Sequence, residues 1–422
     1  MRLLYTLLFY LLIPLLLARL WWRGRKAPGY RKNWTQRLGL GDRLSGPVIW
    51  IHAVSVGETL AVVPMVERLL KRYPSHRILM TNMTPTGAAQ VEKAFGDRVE
   101  QRFCPWDLPL AWSAFLRRVK PAICIVVETE LWPNLVSGCA RKGVPVMLVN
   151  ARLSERSARG YRRFSALTRP MLQRLNLIAA QHEADAGRFR ELGAPPERVS
   201  VTGSIKFDIS PDLSLRDSGR ALRTLWGAER PVVIAASTHE GEDELLLRCW
   251  RSLKERQPDL LLALVPRHPE RFAGVTELAS QFSHNVCARS SGETPDSQTD
   301  IYIGDTMGEL MMLYAAADIA FVGGSFSGTG GHNPLEPAAL GLPVIMGPDT
   351  FNFAAICEAL KDAGGMSQVV DEKGLTAQLG TWLDQPDQAR AAGRAGEAFL
   401  KQNQGALDRL EALIAERLDT RH

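Results

Sequence analysis

No Asp-x-Asp triplet and no Cys-x-x-Cys pair occurs in these 422 residues. The first absence removes a common paired-carboxylate grip on a divalent ion. The second removes zinc ribbons and dithiol redox chemistry. Cysteine itself is sparse. Its six copies, Cys104, Cys124, Cys139, Cys249, Cys287 and Cys357, are scattered. Several sit in apolar runs, where a free thiol behaves as a small hydrophobe. They read as reduced thiols in a cytosolic body, not as a disulfide framework. No short fixed period recurs, which excludes solenoids and propellers. No nucleic-acid module accompanies the basic residues, so nucleic acid is not an expected partner. Neither a metal site nor a cofactor is expected.

Only one hydrophobic run is long. Residues 3–18 carry no charge and are rich in leucine. Arg19 interrupts, Trp21 and Trp22 follow, and Arg23, Arg25 and Lys26 close the segment. A spanning helix needs roughly 20 apolar residues, and Pro14 would kink this one. The tryptophan pair suits a membrane interface and the basic flank favours the cytosolic side. No small-x-small cleavage site is evident, which weighs against a removed signal peptide. Residues 1–26 are therefore expected to be a retained anchor, either spanning the bilayer or lying in one leaflet. The formal charge of +6 and pI near 9.0 suit an anionic surface or substrate, though many proteins with neither share them.

The rest of the chain alternates apolar strands with helical segments, the mark of parallel sheets covered on both faces. In the first half, strands are expected at 48–54, 77–81, 122–127, 145–150, 177–180 and 199–202. Helices are expected at 57–72, 84–95 and 135–142. The polar residues 210–218 read as a linker. A second series follows, with strands at 231–236, 260–265, 318–322 and 342–346 and helices at 243–256 and 269–281. Residues 290–299 read as a mobile loop, and 386–417 as one long final helix. The expected organisation is an anchor (1–26), a first doubly wound domain (27–209), a linker (210–218) and a second domain (219–422), with a cleft between the domains.

In open α/β sheets ligands sit beyond the carboxyl ends of strands, and chemistry-bearing residues recur there. Glu58 follows the first strand, Glu128 and Glu130 the strand at 122–127, and Lys206 the strand at 199–202. His239 follows 231–236, and Arg267 and His268 follow 260–265. The richest stretch is 323–348, GGSFSGTGGHNPLEPAALGLPVIMGP. A strand, a glycine-rich loop and a helix start together offer free N–H groups and a dipole to an anion. Asn333 and Glu336 precede prolines and are expected to be extended. The helix is expected to begin at Pro337 and end near Gly341, leaving Glu336 at its boundary. The same pattern also fits a tight βαβ connection with no ligand.

These segments bring a resemblance to a known family. WIHAVSVGET, VVETELWPN, the NARLSERS run, TGSIKFD, ASTHEGE, LVPRHPERF, the Met-Gly-Glu of 307–309, FVGGSF and GGHNPLEPA occur in that order over nearly the whole chain. The set resembles the 3-deoxy-D-manno-octulosonic acid (Kdo) transferases of Gram-negative bacteria. The resemblance implies a GT-B type fold, two Rossmann-like domains facing a cleft. It implies transfer of Kdo from CMP-Kdo to the lipid A precursor, a tetraacylated disaccharide bisphosphate, with inversion and without a metal. It implies a place at the inner membrane, body on the cytoplasmic side. Carried over by motif, Glu58 is the general base, and Glu128 and Lys206 support the transition state. Pro266, Arg267, Met307, Gly308, Glu309, Asn333, Pro334, Leu335 and Glu336 bind CMP.

The residues are chemically suited to those roles. A sugar hydroxyl needs a base to take its proton as it attacks, and Glu58 near a helix start is expected to be held anionic. Arg267 and Lys206 can stabilise charge growing on a departing phosphate. Glu128 can stabilise a positive sugar or orient Lys206. Arg152, Arg156, Arg159, Arg162 and Arg163, with Tyr161 and Phe164 among them, suit lipid phosphates or simply form a solvated helix face. Two other functions share the pattern. One is a GT-B UDP-sugar transferase or epimerase, which would bind UDP in place of CMP. The other is a non-catalytic anchored nucleotide-binding protein, against which the set of Glu58, Glu128, Lys206 and Arg267 speaks.

Overall fold

The computed structural model describes residues 1–209 and 213–419. They divide into two compact units, Met1–Asp208 with Gln404–His422, and Ile209–Asn403. Each is built on a seven-stranded parallel sheet among the described residues.

In the first unit the strands are β1 (Val48–His52), β2 (Arg77–Asn82), β3 (Glu100–Phe103), β4 (Pro121–Val127), β5 (Val146–Ala151), β6 (Leu177–Ala180) and β7 (Val199–Val201). Their spatial order is β3-β2-β1-β4-β5-β6-β7. β1 is paired in register with β2 on one side and β4 on the other. The chain therefore reverses its direction of growth between β1 and β4, and that is where a doubly wound sheet opens a crevice. Every residue of β1 is buried. Val48 and Trp50 face one side of the sheet, with Trp112 and Phe115. Ile49 and Ile51 face the other, where helix α2 (Val56–Arg72) lays Val62, Met65, Val66 and Leu69. The first helix, α1 (Arg2–Lys26), belongs to this unit.

In the second unit the strands are β8 (Val232–Thr238), β9 (Leu261–Pro266), β10 (Val286–Ala288), β11 (Ile301–Ile303), β12 (Ile319–Val322), β13 (Val344–Met346) and β14 (Met366–Gln368). The order β10-β11-β9-β8-β12-β13-β14 repeats the first plan. Its reversal falls between β8 and β12.

Several expectations change. Strands β3, β10, β11 and β14 are additional. Three of them are edges of their sheets, short and partly exposed, so they lack a continuous apolar run. Residues 213–218 do not form a linker; they open the helix Leu213–Trp226, and 210–212 lie outside the described residues. The final helix is two helices, Pro386–Asn403 and Ala406–Asp419, broken at Gly405 with φ of +90°. The second returns to the first unit, contrary to the 219–422 domain. Its Leu407, Leu410 and Ile414 cover the Ile49–Ile51 face of that sheet. The Asp208 carboxylate caps its start, accepting from the backbone N–H groups of Gly405 and Leu407. An amphipathic stripe shows that a helix has a buried face but not which sheet buries it.

Candidate active site

Glu58 sits at the third position of α2, directly beyond β1. Ser55 caps the helix, accepting from the Glu58 N–H at 3.3 Å. The Glu58 carboxylate reaches back, accepting from the Ser55 hydroxyl at 2.7 Å and the Val54 N–H at 2.7 Å. The pattern is that of a Ser-x-x-Glu capping box with the return bond made to the N–H one residue before the cap, and it fixes the carboxylate in place. The residue is only 7% exposed. Burial pushes its pKa up to about 7. The two hydrogen bonds oppose that rise, and Glu130 and Glu128 add to it. The sequence expectation of a firmly anionic glutamate is thus corrected. Desolvation outweighs the helix start, leaving a carboxylate balanced between its two forms at neutral pH.

Glu128 follows β4, across the reversal from Glu58. Its φ of 57° is left-handed, uncommon outside glycine, and its N–H donates to Val149 O at 2.9 Å. Lys206 lies 3.6 Å from the Glu128 carboxylate. It sits in the short turn Ile205–Phe207, whose first N–H donates to the Asn150 side chain at 3.3 Å. Asn150 is itself left-handed, with φ of 50°, and fully buried. Glu130 accepts from Trp132 Nε1 at 3.1 Å, and burial raises its pKa. The first unit thus gathers Glu58, Glu128, Glu130 and Lys206 at one sheet opening, as expected. Asn150 was not singled out, although it stands at the head of the NARLSERS run.

The basic helix Glu155–Arg163 borders the same opening. Tyr161 packs half-buried against the core, and its hydroxyl reaches Thr129 O at 3.5 Å. The Thr129 hydroxyl donates to Arg152 O at 2.5 Å. Arg152, Arg156, Arg159 and Arg163 are exposed, while Arg162 pairs with Glu191 at 3.2 Å.

In the second unit, Pro266 ends β9 and Arg267 extends from it, exposed, with its N–H on Thr238 O at 3.0 Å. Burial lowers the pKa values of His239 and His332, and nearby Arg267 adds to that lowering. The His239 and His332 rings meet edge to edge and nearly coplanar, their Nε2 atoms 2.8 Å apart. They join the end of β8 to the loop after β12, across the sheet reversal. Burial brings the His332 pKa down to about 4, so the pair is neutral at pH 7 and one ring donates to the other. His332 is a residue the sequence reading passed over, despite its place in GGHNPLEPA.

The glycine-rich loop does not keep its N–H groups free. Glu242, 1% exposed, accepts from Gly324, Ser325 and Phe326 N–H groups at 2.8–2.9 Å, and from His239 N–H at 2.8 Å. The anion these donors were expected to bind is supplied by the chain itself, from the last residue of ASTHEGE. The helix geometry also differs. Leu335–Ala338 is a single turn that contains Glu336. Asn333 lies just before its N-cap, Pro334, its side-chain oxygen accepting from Leu335 N–H at 3.1 Å and its amide reaching Glu336 Oε1 at 3.3 Å. Pro337 is tolerated inside because first-turn N–H groups have no helical partner to lose. Burial raises the Glu336 pKa, against the pull of Asn333 and Arg267. Pro334 and Leu335 are buried beneath the loop surface.

Met307 and Gly308 are exposed beyond β11. Glu309 beside them is held bidentately by Arg289, at 2.8 and 3.0 Å, and by the Thr306 hydroxyl. The Arg289 bonds hold its pKa below the usual range. Arg289 therefore fixes this loop, and sequence offered no cue for it. Among the described residues no cluster of three or more His, Cys, Asp or Glu is arranged to hold a metal.

Residues 32–209 match the family model described as 3-Deoxy-D-manno-octulosonic-acid transferase (kdotransferase). The chain is 42% identical over 422 residues to a 3-deoxy-D-manno-octulosonic acid transferase of Haemophilus influenzae, covering 99% of each. It is 37% identical over 426 residues to one of Bordetella pertussis, covering 97% of this chain and 98% of that one. Among solved structures, UDP-GlcNAc 2-epimerase from Neisseria meningitidis bound to UDP-GlcNAc matches with a TM-score of 0.56 at 13% identity. That match covers 89% of this chain and 100% of the epimerase, a likeness of fold. The expected fold class, Rossmann-like units of the GT-B type, holds.

Proposed function

The chain belongs to the Kdo transferase family of glycosyltransferases, and on that premise we propose that it moves Kdo from CMP-Kdo to a tetraacylated lipid A precursor with Glu58 as general base. An acceptor hydroxyl attacks the anomeric carbon of Kdo as the bond from that carbon to the CMP phosphate breaks. The hydroxyl proton passes to the Glu58 carboxylate, and CMP leaves with the bonding pair. Attack opposite the leaving group inverts the anomeric centre. Arg267 and Lys206 oppose the charge on the departing phosphate, and no metal takes part. Glu128 holds Lys206 and faces the positive charge that develops on the sugar. Pro266, Met307, Gly308, Glu309, Asn333, Pro334, Leu335 and Glu336 contact CMP. The protein works at the cytoplasmic face of the inner membrane, held there by α1, and the arginines of Glu155–Arg163 meet the acceptor's phosphates.

The single observation that carries this reading is Glu58. It is buried, fixed by a capping box, raised to a pKa of about 7 and accompanied by the Glu128–Lys206 pair. A base works best when its pKa lies near the working pH. The test is incubation of the detergent-dispersed protein with CMP-Kdo and the tetraacyl disaccharide bisphosphate, reading product masses directly. Addition of Kdo by the wild type and loss of at least about a hundredfold in Glu58→Gln are expected. An unchanged rate in that variant would remove Glu58 from the chemistry.

A further inference from the structure

Helix α1 is not a free rod. Its half-buried residues include Tyr5, Phe9, Ile13, Leu16, Leu17 and Leu20, with Gly24 buried at the end. That is one helical stripe running from the first turn to the last. The stripe packs on Trp106, Leu108 and Ala111 of the first unit. A polar latch secures its start. Thr6 and Asn134 side chains exchange hydrogen bonds at 3.2 and 3.0 Å. The Tyr5 hydroxyl bonds to the buried Asp107 carboxylate, which also caps the helix Pro133–Arg141 through the Asn134 and Leu135 N–H groups. At the other end, Arg31 donates to Trp21 O at 3.1 Å and Arg23 lies over the Tyr30 ring at 4.5 Å.

The opposite stripe is aliphatic and exposed. Leu3 is 82% exposed, Leu11 69% and Leu15 65%, with Leu4, Leu7 and Leu8 between them. Trp22, at 70%, ends the row, and Leu110 on the neighbouring helix Pro109–Val119 is 73% exposed. A patch of this size on a protein surface marks a partner or a membrane. Positive charge flanks it at both ends. Arg2 lies within electrostatic reach of Arg141 and Arg174, and Arg19, Arg23 and Arg25 follow at the far end.

We propose that α1 lies in the plane of the membrane, docked along its whole length on the first unit, with its leucine stripe sunk into one leaflet and both arginine clusters at anionic headgroups. The proposal rests on the membrane attachment put forward above and decides its form. Length does not decide it, because 25 residues at about 1.5 Å each could cross the hydrocarbon. The docking does. A crossing α1 would carry Asp107, Asn134 and the polar surface around them into hydrocarbon, where such groups are rare. It would also put one arginine cluster on each side of the bilayer, against the bias of positive charge to one side. An in-plane helix puts both in the same headgroup layer.

The test is the depth of the exposed stripe in vesicles of phosphatidylethanolamine and phosphatidylglycerol. Single cysteines at Leu4, Leu8, Leu11 and Leu15 of the full chain are spin-labelled, the six native cysteines being buried. Depth is read from the balance of oxygen and nickel accessibility. The four positions are expected within a few ångströms of one shallow depth. A steady gradient approaching about 16 Å from Leu4 to Leu15, the rise of that much helix, would overturn the in-plane arrangement. Failure of the protein to float with vesicles would overturn it too. The transfer assay on detergent-dispersed acceptor is independent of both results, so loss of this inference and loss of the proposed chemistry are told apart.

Discussion

The Ser55 hydroxyl donates to the Glu58 carboxylate at 2.7 Å, so Ser55→Ala should retune the base without removing it. A hydrogen bond to a charged group contributes about 1.5–3 kcal/mol. At about 1.4 kcal/mol per pKa unit, its loss should lift Glu58 by about 1–2 units from its value of about 7. At pH 7 the ionised fraction then falls from about half to between about a tenth and a hundredth, and kcat/KM should fall about 5- to 50-fold. The assay is kcat/KM for Kdo transfer from pH 5.5 to 9.5. Wild-type activity should rise through an apparent pKa near 7, and Ser55→Ala should show the same limb displaced upward, converging with the wild type near pH 9.5. Stability has its own sign. A carboxyl raised from 4.5 to about 7 by folding makes the fold lose stability as pH climbs through that window, up to about 3 kcal/mol. Glu58→Gln should remove that slope. An equal loss of activity at every pH in Ser55→Ala, or a flat wild-type profile between pH 6 and 8, would refute the assignment.

The other predictions concern separate parts of the site. Glu242→Ala strands four backbone donors, at about 1–3 kcal/mol for each left unsatisfied; thermal melting should drop by many degrees, and an unchanged Tm would mean the loop has other partners. Lys206→Met should lower kcat with little effect on Tm, since a pair 36% and 30% exposed contributes under about 1 kcal/mol to stability; a rate loss that only tracks the fraction unfolded would count against a role in chemistry. Reversing the charge of Arg159 and Arg162 should raise the acceptor KM by roughly fivefold per residue, at about 1 kcal/mol each, and leave the CMP-Kdo KM alone; equal changes in both would argue against an acceptor contact. Activity should survive EDTA, and a complete loss restored by magnesium would reverse the metal-independent reading.

The two sheets were legible because central parallel strands are apolar from end to end. β4 and β8 announce themselves in AICIVV and PVVIAA. The edges were not legible. β3 reads EQRF, and only its last two residues are buried, so its strand character comes from pairing with β2 and not from its own pattern. Glu58, Glu128, Lys206 and Arg267 could be picked because each stands just past a strand, where the fold opens. Glu130 sits equally close, and sequence spacing did not separate its half-buried, tryptophan-bound carboxylate from the lysine-paired one. The return of Ala406–Asp419 to the first unit was invisible, since its apolar stripe would suit either sheet.

The glycine-rich loop shows why local physics and function part company. Three successive N–H groups at 324–326 do seek an anion, as any such concavity must. Sequence could not say whether that anion is a ligand or a side chain, because Glu242 lies 82 positions before Gly324. The internal carboxylate changes the loop's role. Its backbone is locked by the chain's own carboxylate, and His332, Asn333 and Glu336 stand half-buried at its end, with Arg267 beside them. A loop locked in this way loses little entropy when a ligand settles on it. Positive φ at Gly324 lets the chain turn these N–H groups onto Glu242, and in the proposed function the nucleotide is met by the polar residues carried at the loop's end.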